Sequence, residues 1–95
     1  MTTDAANERR TVHYSGRVQG VGFRYAARAT AGGYEVTGSV QNLDDGRVRM
    51  VVEGQKDEIE RFLAAVAERM SGYIRNVEMH RSSANGEFTG FSIEH

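Results

Sequence analysis

The sequence predicts an α/β sandwich, a mostly antiparallel sheet covered on one face by two helices. Three observations predict it. Several stretches alternate apolar and polar residues with the period of a half-buried strand. Two others carry the helical period, and glycine-bearing turns separate the segments in the order strand, helix, strand, strand, helix, strand.

Residues 1–10 (MTTDAANERR) show no apolar period and are expected to form a disordered tail, leaving 11–95 as one domain. From Thr11, the residues Val12, Tyr14, Gly16 and Val18 alternate with Thr11, His13, Ser15 and Arg17, which predicts the first strand. A glycine-dense loop follows, with three glycines between positions 16 and 22. Phe23 to Ala31 is mostly Ala and Arg, good helix formers, and Gly32-Gly33 stops it. Tyr34 to Asn42 alternates again, with Val36, Gly38, Val40 and Asn42 sharing one side. Leu43-Asp44-Asp45-Gly46 is a turn signal, and Val48, Met50 and Val52 return the chain as a β-hairpin.

Gly54-Gln55 ends the hairpin. Ile59, Phe62, Leu63, Val66 and Met70 then fall on one helical face, with Asp57 and Glu58 in the first turn and Arg69 in the last, as the helix dipole favours. Ser71-Gly72 closes this helix. Ile74 to Ser82 reads as a fourth strand, less cleanly patterned. Asn85-Gly86 marks a turn, and Phe88 to His95 ends as a short fifth strand. The order is ferredoxin-like, βαββαβ with a short C-terminal strand. That architecture hosts many functions and names none.

Composition narrows the chemistry. The 95 residues suffice for one core without a metal or disulfide staple. With no cysteine there is no disulfide framework, thiolate zinc site or cysteine nucleophile. A net charge of −1 argues against a partner made of nucleic acid. No stretch is apolar enough to span a membrane and no signal core opens the chain, so a cytoplasmic protein is expected. A monomer is expected too, because each apolar face has an internal partner.

The glycine loop is the strongest local signal. Its backbone N–H groups can turn inward at a helix N-terminus, and Arg24 in the first helical turn adds a forked cation, an arrangement suited to a phosphate. The same residues also read as a plain strand–helix turn with an exposed arginine. A nucleoside-triphosphate P-loop is excluded, since no Gly-Lys-Ser/Thr follows, and the third glycine of a dinucleotide fingerprint is missing. Asn42 shares its side with apolar Val36 and Val40. Its carboxamide would hold a water beside a phosphoryl oxygen, though Asn at a hairpin mouth is also ordinary turn chemistry.

Gly16-Arg17-Val18-Gln19-Gly20-Val21-Gly22-Phe23-Arg24 resembles, without a gap, the signature loop of the acylphosphatases. Thr37-Gly38-Ser39-Val40-Gln41-Asn42 before Asp45-Gly46 is similar to the second block of that family, and Phe88-Thr89-Gly90-Phe91-Ser92-Ile93 to its closing strand. The resemblance implies a metal-independent, cofactor-free hydrolase that splits small acyl phosphates into carboxylate and inorganic phosphate. It implies Arg24 as the phosphate-binding arginine and Asn42 as the residue that positions water. The backbone amides of Gln19, Gly20, Val21, Gly22, Phe23 and Arg24 are the implied phosphate donors.

One departure stands out: Ser39 occupies a place where the family usually has a large aromatic. It should face away from Asn42, so altered packing is expected, not altered chemistry. Tyr34 and Glu35 likewise replace the more usual small and aliphatic residues.

Other groups attract a plainer reading. His13, His80 and His95 read as exposed strand histidines, and Asp44 and Asp45 as a turn. Tyr25 is a candidate for the mouth of the site, whereas Phe23 reads as helix packing. Arg47, Arg49, Arg75 and Arg81 would serve the competing function, a non-catalytic phosphate- or RNA-binding module, but the aromatic–basic signature of an RNA-binding sheet is absent.

Overall fold

A computed structural model describes residues 7–95. Five strands and two helices follow in the order β1 (Glu8–Gly16), α1 (Phe23–Ala31), β2 (Val36–Asn42), β3 (Val48–Gly54), α2 (Lys56–Arg69), β4 (Ile74–Ser83) and β5 (Phe91–Glu94). The sheet order is β4-β1-β3-β2-β5. Every neighbouring pair is antiparallel except β2 and β5, which run parallel. Each helix carries the chain past one strand position, and the strand from the other half fills the gap. This is the ferredoxin-like arrangement expected from the order of elements.

The alternation fulfils its promise on the face that the helices cover. Val12, Tyr14, Val40, Val48, Met50 and Val52 are buried there against Phe23, Ala27, Ile59, Phe62 and Val66. Helix α1 packs on α2, β2 and β5, and α2 packs on β3 and β2. Strand β4 lies at the far edge, where Val77 and Met79, the register partners of buried Tyr14 and Val12, remain half exposed. An edge position explains why its sequence pattern is weak. Among the described residues no helix is long and apolar enough to cross a membrane.

Three boundaries differ from the sequence expectation. The first strand begins at Glu8, so residues 8–10 are not tail, while residues 1–6 lie outside the described residues. Arg10 is almost wholly buried, because it continues the inward-facing row of Val12 and Tyr14 and its guanidinium reaches Glu8 at 3.1 Å and Glu60 at 3.3 Å. A polar stretch hid this row. Strand β2 starts at Val36 instead of Tyr34, which packs edge-on against Phe62.

The last strand is shorter than residues 88–95, for a topological reason. β4 and β5 sit on opposite edges, so residues 84–90 must cross four inter-strand steps, about 19 Å. Seven nearly extended residues span that distance. They pass beneath the uncovered face, where Glu53 accepts the amides of Asn85 (3.2 Å) and Gly86 (3.1 Å). Arg9 donates to the same carboxylate at 2.7 Å, pairs with Glu87, and lies over the ring of Phe88. Burial alone would raise the Glu53 carboxyl. The Arg9 guanidinium and the two amides outweigh it and hold that group below its ordinary value.

Gly38 shows why a small residue is needed in the middle of β2. A Cβ there would sit 1.9 Å from the Val51 carbonyl oxygen, and the Gly38 amide instead reaches the Gly90 carbonyl at 2.9 Å. This contact docks the crossing segment onto β5's neighbour.

Candidate active site

The glycine loop between β1 and α1 is tied into the molecule at both ends. Val18 is buried in the core, and Phe23 is buried with its ring 4.8 Å from that of Tyr14. Between them, Gly20 and Gly22 adopt positive φ (78° and 81°), a conformation costly for residues with a Cβ. Gly22 is also the N-cap of α1 and offers no side-chain acceptor to the first helical turn. Among the described residues, no amide from positions 19–25 finds an acceptor within the protein. A row of unclaimed N–H groups at a helix N-terminus is an arrangement suited to an anion.

Val18, Gly20, Gly22, Phe23, Arg24, Tyr25 and Asn42 line one small pocket, of about 190 Å³. Arg24 opens α1 and Asn42 closes the next element, β2, and the β1–β3–β2 pairing brings them to the same end of the sheet. Asn42 is the last residue of β2, on the helix-covered side as the alternation predicts. Its Oδ1 is buried and has no hydrogen-bond partner, alone among the buried side-chain polar atoms of the described residues. A buried carbonyl oxygen without a donor is costly, so this atom fits a site that receives a water or a substrate proton.

The Arg24 guanidinium is held from the other edge of the sheet. Its Nη1 donates to the Glu94 carbonyl at 3.2 Å and lies 3.4 Å from His95 Nδ1. His95 is exposed, as expected, but it lies beyond the end of β5 and beside the site instead of within a strand. Only the parallel pairing of β5 with β2 brings it there. No local signal announced it. His13 and His80, by contrast, lie in a groove of the uncovered face with Thr11 and Glu78.

Gln19 contributes more than the backbone amide expected of it. Its side-chain Nε2 donates to the carbonyls of Leu43 (2.7 Å) and Arg47 (2.9 Å), the two ends of the β2–β3 turn. The turn closes itself by Leu43 N to Arg47 O (2.8 Å) and Gly46 N to Leu43 O (3.2 Å). Asp45 accepts the amide and guanidinium of Arg47, which hold its carboxyl below the ordinary value despite some desolvation. The two aspartates are thus turn residues, as expected.

Tyr25 is 59% exposed at the pocket rim, with the Arg28 guanidinium 5.5 Å from its ring. Phe23 both packs in the core and lines the pocket floor. The four arginines considered for a nucleic-acid surface do not share a face. Arg49 pairs in register with His13 on the uncovered side, whereas Arg81 pairs with Arg10 on the helix side and donates to Glu8 at 3.1 Å. Ser39 faces the uncovered side with Val51, Arg49 and Phe88 around a recess of about 250 Å³, and it does not touch the pocket.

Fold and site together define a ferredoxin-like sandwich with a pocket of free loop amides, Arg24 and Asn42 at one end of its sheet. Comparisons with known proteins narrow the class. The acylphosphatase family model matches residues 10–93. An acylphosphatase of Saccharopolyspora erythraea is 41% identical over 92 residues, which cover 96% of this chain and 97% of that relative. One of Thermobifida fusca is 42% identical over 84 residues, covering 87% and 92%. The crystal structure of acylphosphatase from Bacillus subtilis superposes with a TM-score of 0.83 at 30% identity, over 93% of this chain and 99% of that one. The chain belongs to the acylphosphatase family.

Proposed function

We propose that this protein hydrolyses small acyl phosphates to a carboxylate and inorganic phosphate, using the pocket between the glycine loop and Asn42. The observation that carries this reading is the unpartnered, buried Asn42 Oδ1 in the same pocket as Arg24 and the loop glycines. The phosphoryl oxygens would lie against the amides of residues 19–24 and the Arg24 guanidinium. A water hydrogen-bonded to Asn42 Oδ1 would attack phosphorus in line. The P–O bond to the acyl group breaks, its electron pair leaves with the carboxylate, and a water proton passes to a phosphoryl oxygen.

The demands of the reaction match these parts. A carboxylate is a good leaving group, so no strong general acid is needed. Charge spread over the equatorial oxygens in a loose transition state is what oriented amides and a guanidinium stabilise best. An oriented water completes the site, and an amide can orient it without being a strong base. The pocket lining carries no carboxylate, and the reading needs neither a metal nor a cofactor. We place the protein in the cytoplasm as a monomer acting on a small molecule, with no nucleic acid or membrane as partner.

The test is hydrolysis of benzoyl or acetyl phosphate by the purified protein with a chelator present. Turnover should survive chelation and fall by about 100-fold or more, to a residual rate, in both Arg24→Ala and Asn42→Ala. Turnover abolished by chelation, or retained by both variants, would refute the mechanism.

A further inference from the structure

We infer that the Gln19 side chain is a positioning residue, which sets the distance between the phosphate cradle and the water held at Asn42. The inference rests on the proposed activity and concerns how the two halves of that site are kept in register. Gln19 sits inside the loop whose amides form the cradle, directly before Gly20. Its carboxamide crosses to the β2–β3 turn and spends both N–H groups there, on Leu43 O at 2.7 Å and Arg47 O at 2.9 Å. Leu43 is the residue after Asn42, so one side chain links the cradle to the neighbour of the water-positioning group.

The chemistry of the link is restrictive. Two carbonyl oxygens converge on one nitrogen, and an –NH₂ group supplies both donors from a single atom. Glutamate at this position would set a carboxylate against two carbonyls, and methionine would fill the space without donating. Asparagine is one methylene too short to span the same gap.

The link is also separable from what holds the two halves in place. The loop is anchored by buried Val18 and Phe23, and the hairpin by the β2–β3 ladder and its own turn bonds. Loss of the link should therefore leave the fold and the cradle intact and loosen only their mutual placement. In-line attack is sensitive to that placement, since misplacement by about 1 Å can lower a rate by about 10²-fold.

The experiment is steady-state hydrolysis of benzoyl phosphate by Gln19→Met and Gln19→Asn, with inhibition by inorganic phosphate measured on the same samples. Both variants should lose about 10- to 100-fold in kcat, while KM and the phosphate inhibition constant stay within about 3-fold of the parent. The Gln19→Met loss should shrink to less than about 3-fold in an Asn42→Ala background, because two residues acting as one unit are not additive. Unchanged kcat in both variants would overturn the inference. So would a parallel loss of kcat and phosphate affinity, or failure of both variants to fold, either of which would make the link purely structural. A parent protein that does not hydrolyse benzoyl phosphate at all would instead refute the proposed function.

Discussion

In the mechanism we propose, Arg24 and Asn42 divide the work between a charge and an orientation, and their substitutions should separate accordingly. On that reading Arg24→Ala would remove a charge-assisted contact of about 1.5–3 kcal/mol to the phosphoryl group. It should raise the inhibition constant of inorganic phosphate by roughly 10-fold or more, a change that calorimetry or competitive inhibition reads directly. Asn42→Ala leaves the cradle in place, so kcat should fall far more than phosphate affinity. Glu53 makes a separate prediction. Its carboxyl is held below the ordinary value in the folded protein, so its stabilisation is complete above the unfolded carboxylate range, about 4.3. That contribution is lost as pH falls through the lower folded value. Glu53→Gln should therefore destabilise the protein at neutral pH by about 1–3 kcal/mol and flatten the acid limb of its stability curve, as followed by urea unfolding between pH 6 and 2.

The elements owe their placement to contacts that a side chain of the wrong size would spoil. Strand β2 comes against β3 so closely that Gly38 has no room for a methyl group. Gly38→Ala should cost roughly 3 kcal/mol or more, seen as a lowered urea midpoint at unchanged m-value. Ser39, its neighbour, faces the opposite way into an open recess beside Val51 and Phe88. Ser39→Trp should bury its ring there and raise the melting temperature by about 4–8 °C if it adds about 1 kcal/mol, with kcat unchanged. A lowered melting temperature would contradict this packing. The crossing segment depends on Arg9 and Glu53, which replace in one pair the backbone partners that residues 84–90 lack in the sheet.

For the whole molecule, the proposed phosphate binding would be linked to folding, because the loop, Arg24 and Asn42 come together only when β1, α1 and β2 are assembled. Inorganic phosphate at a hundred times its Kd should stabilise the parent protein by about 2.7 kcal/mol, read as a raised melting temperature, and at the same concentration should stabilise Arg24→Ala by about half as much or less. Most of the architecture was legible in the chain. Alternation at Val12 and Tyr14, at Val36 to Asn42 and at Val48 to Val52 marked buried rows, and the Ile59 to Met70 stripe marked α2, because a core must be met at the period of its own secondary structure. The candidate site was legible in the loop glycines, Arg24 and Asn42. What was not legible came from tertiary placement. The inward turn of Arg10, the crossing that shortens β5, the approach of His95 to Arg24 and the reach of Gln19 to the hairpin join residues 24 to 76 positions apart, or continue a strand past its apolar pattern. The sequence by itself determined the elements, their order and the chemical groups available for phosphate, since these follow from local period and residue type. Only the tertiary structure decided which carbonyls orient Arg24 and Gln19 and left Asn42 without a partner. Those contacts depend on strand order, and no local pattern encodes strand order.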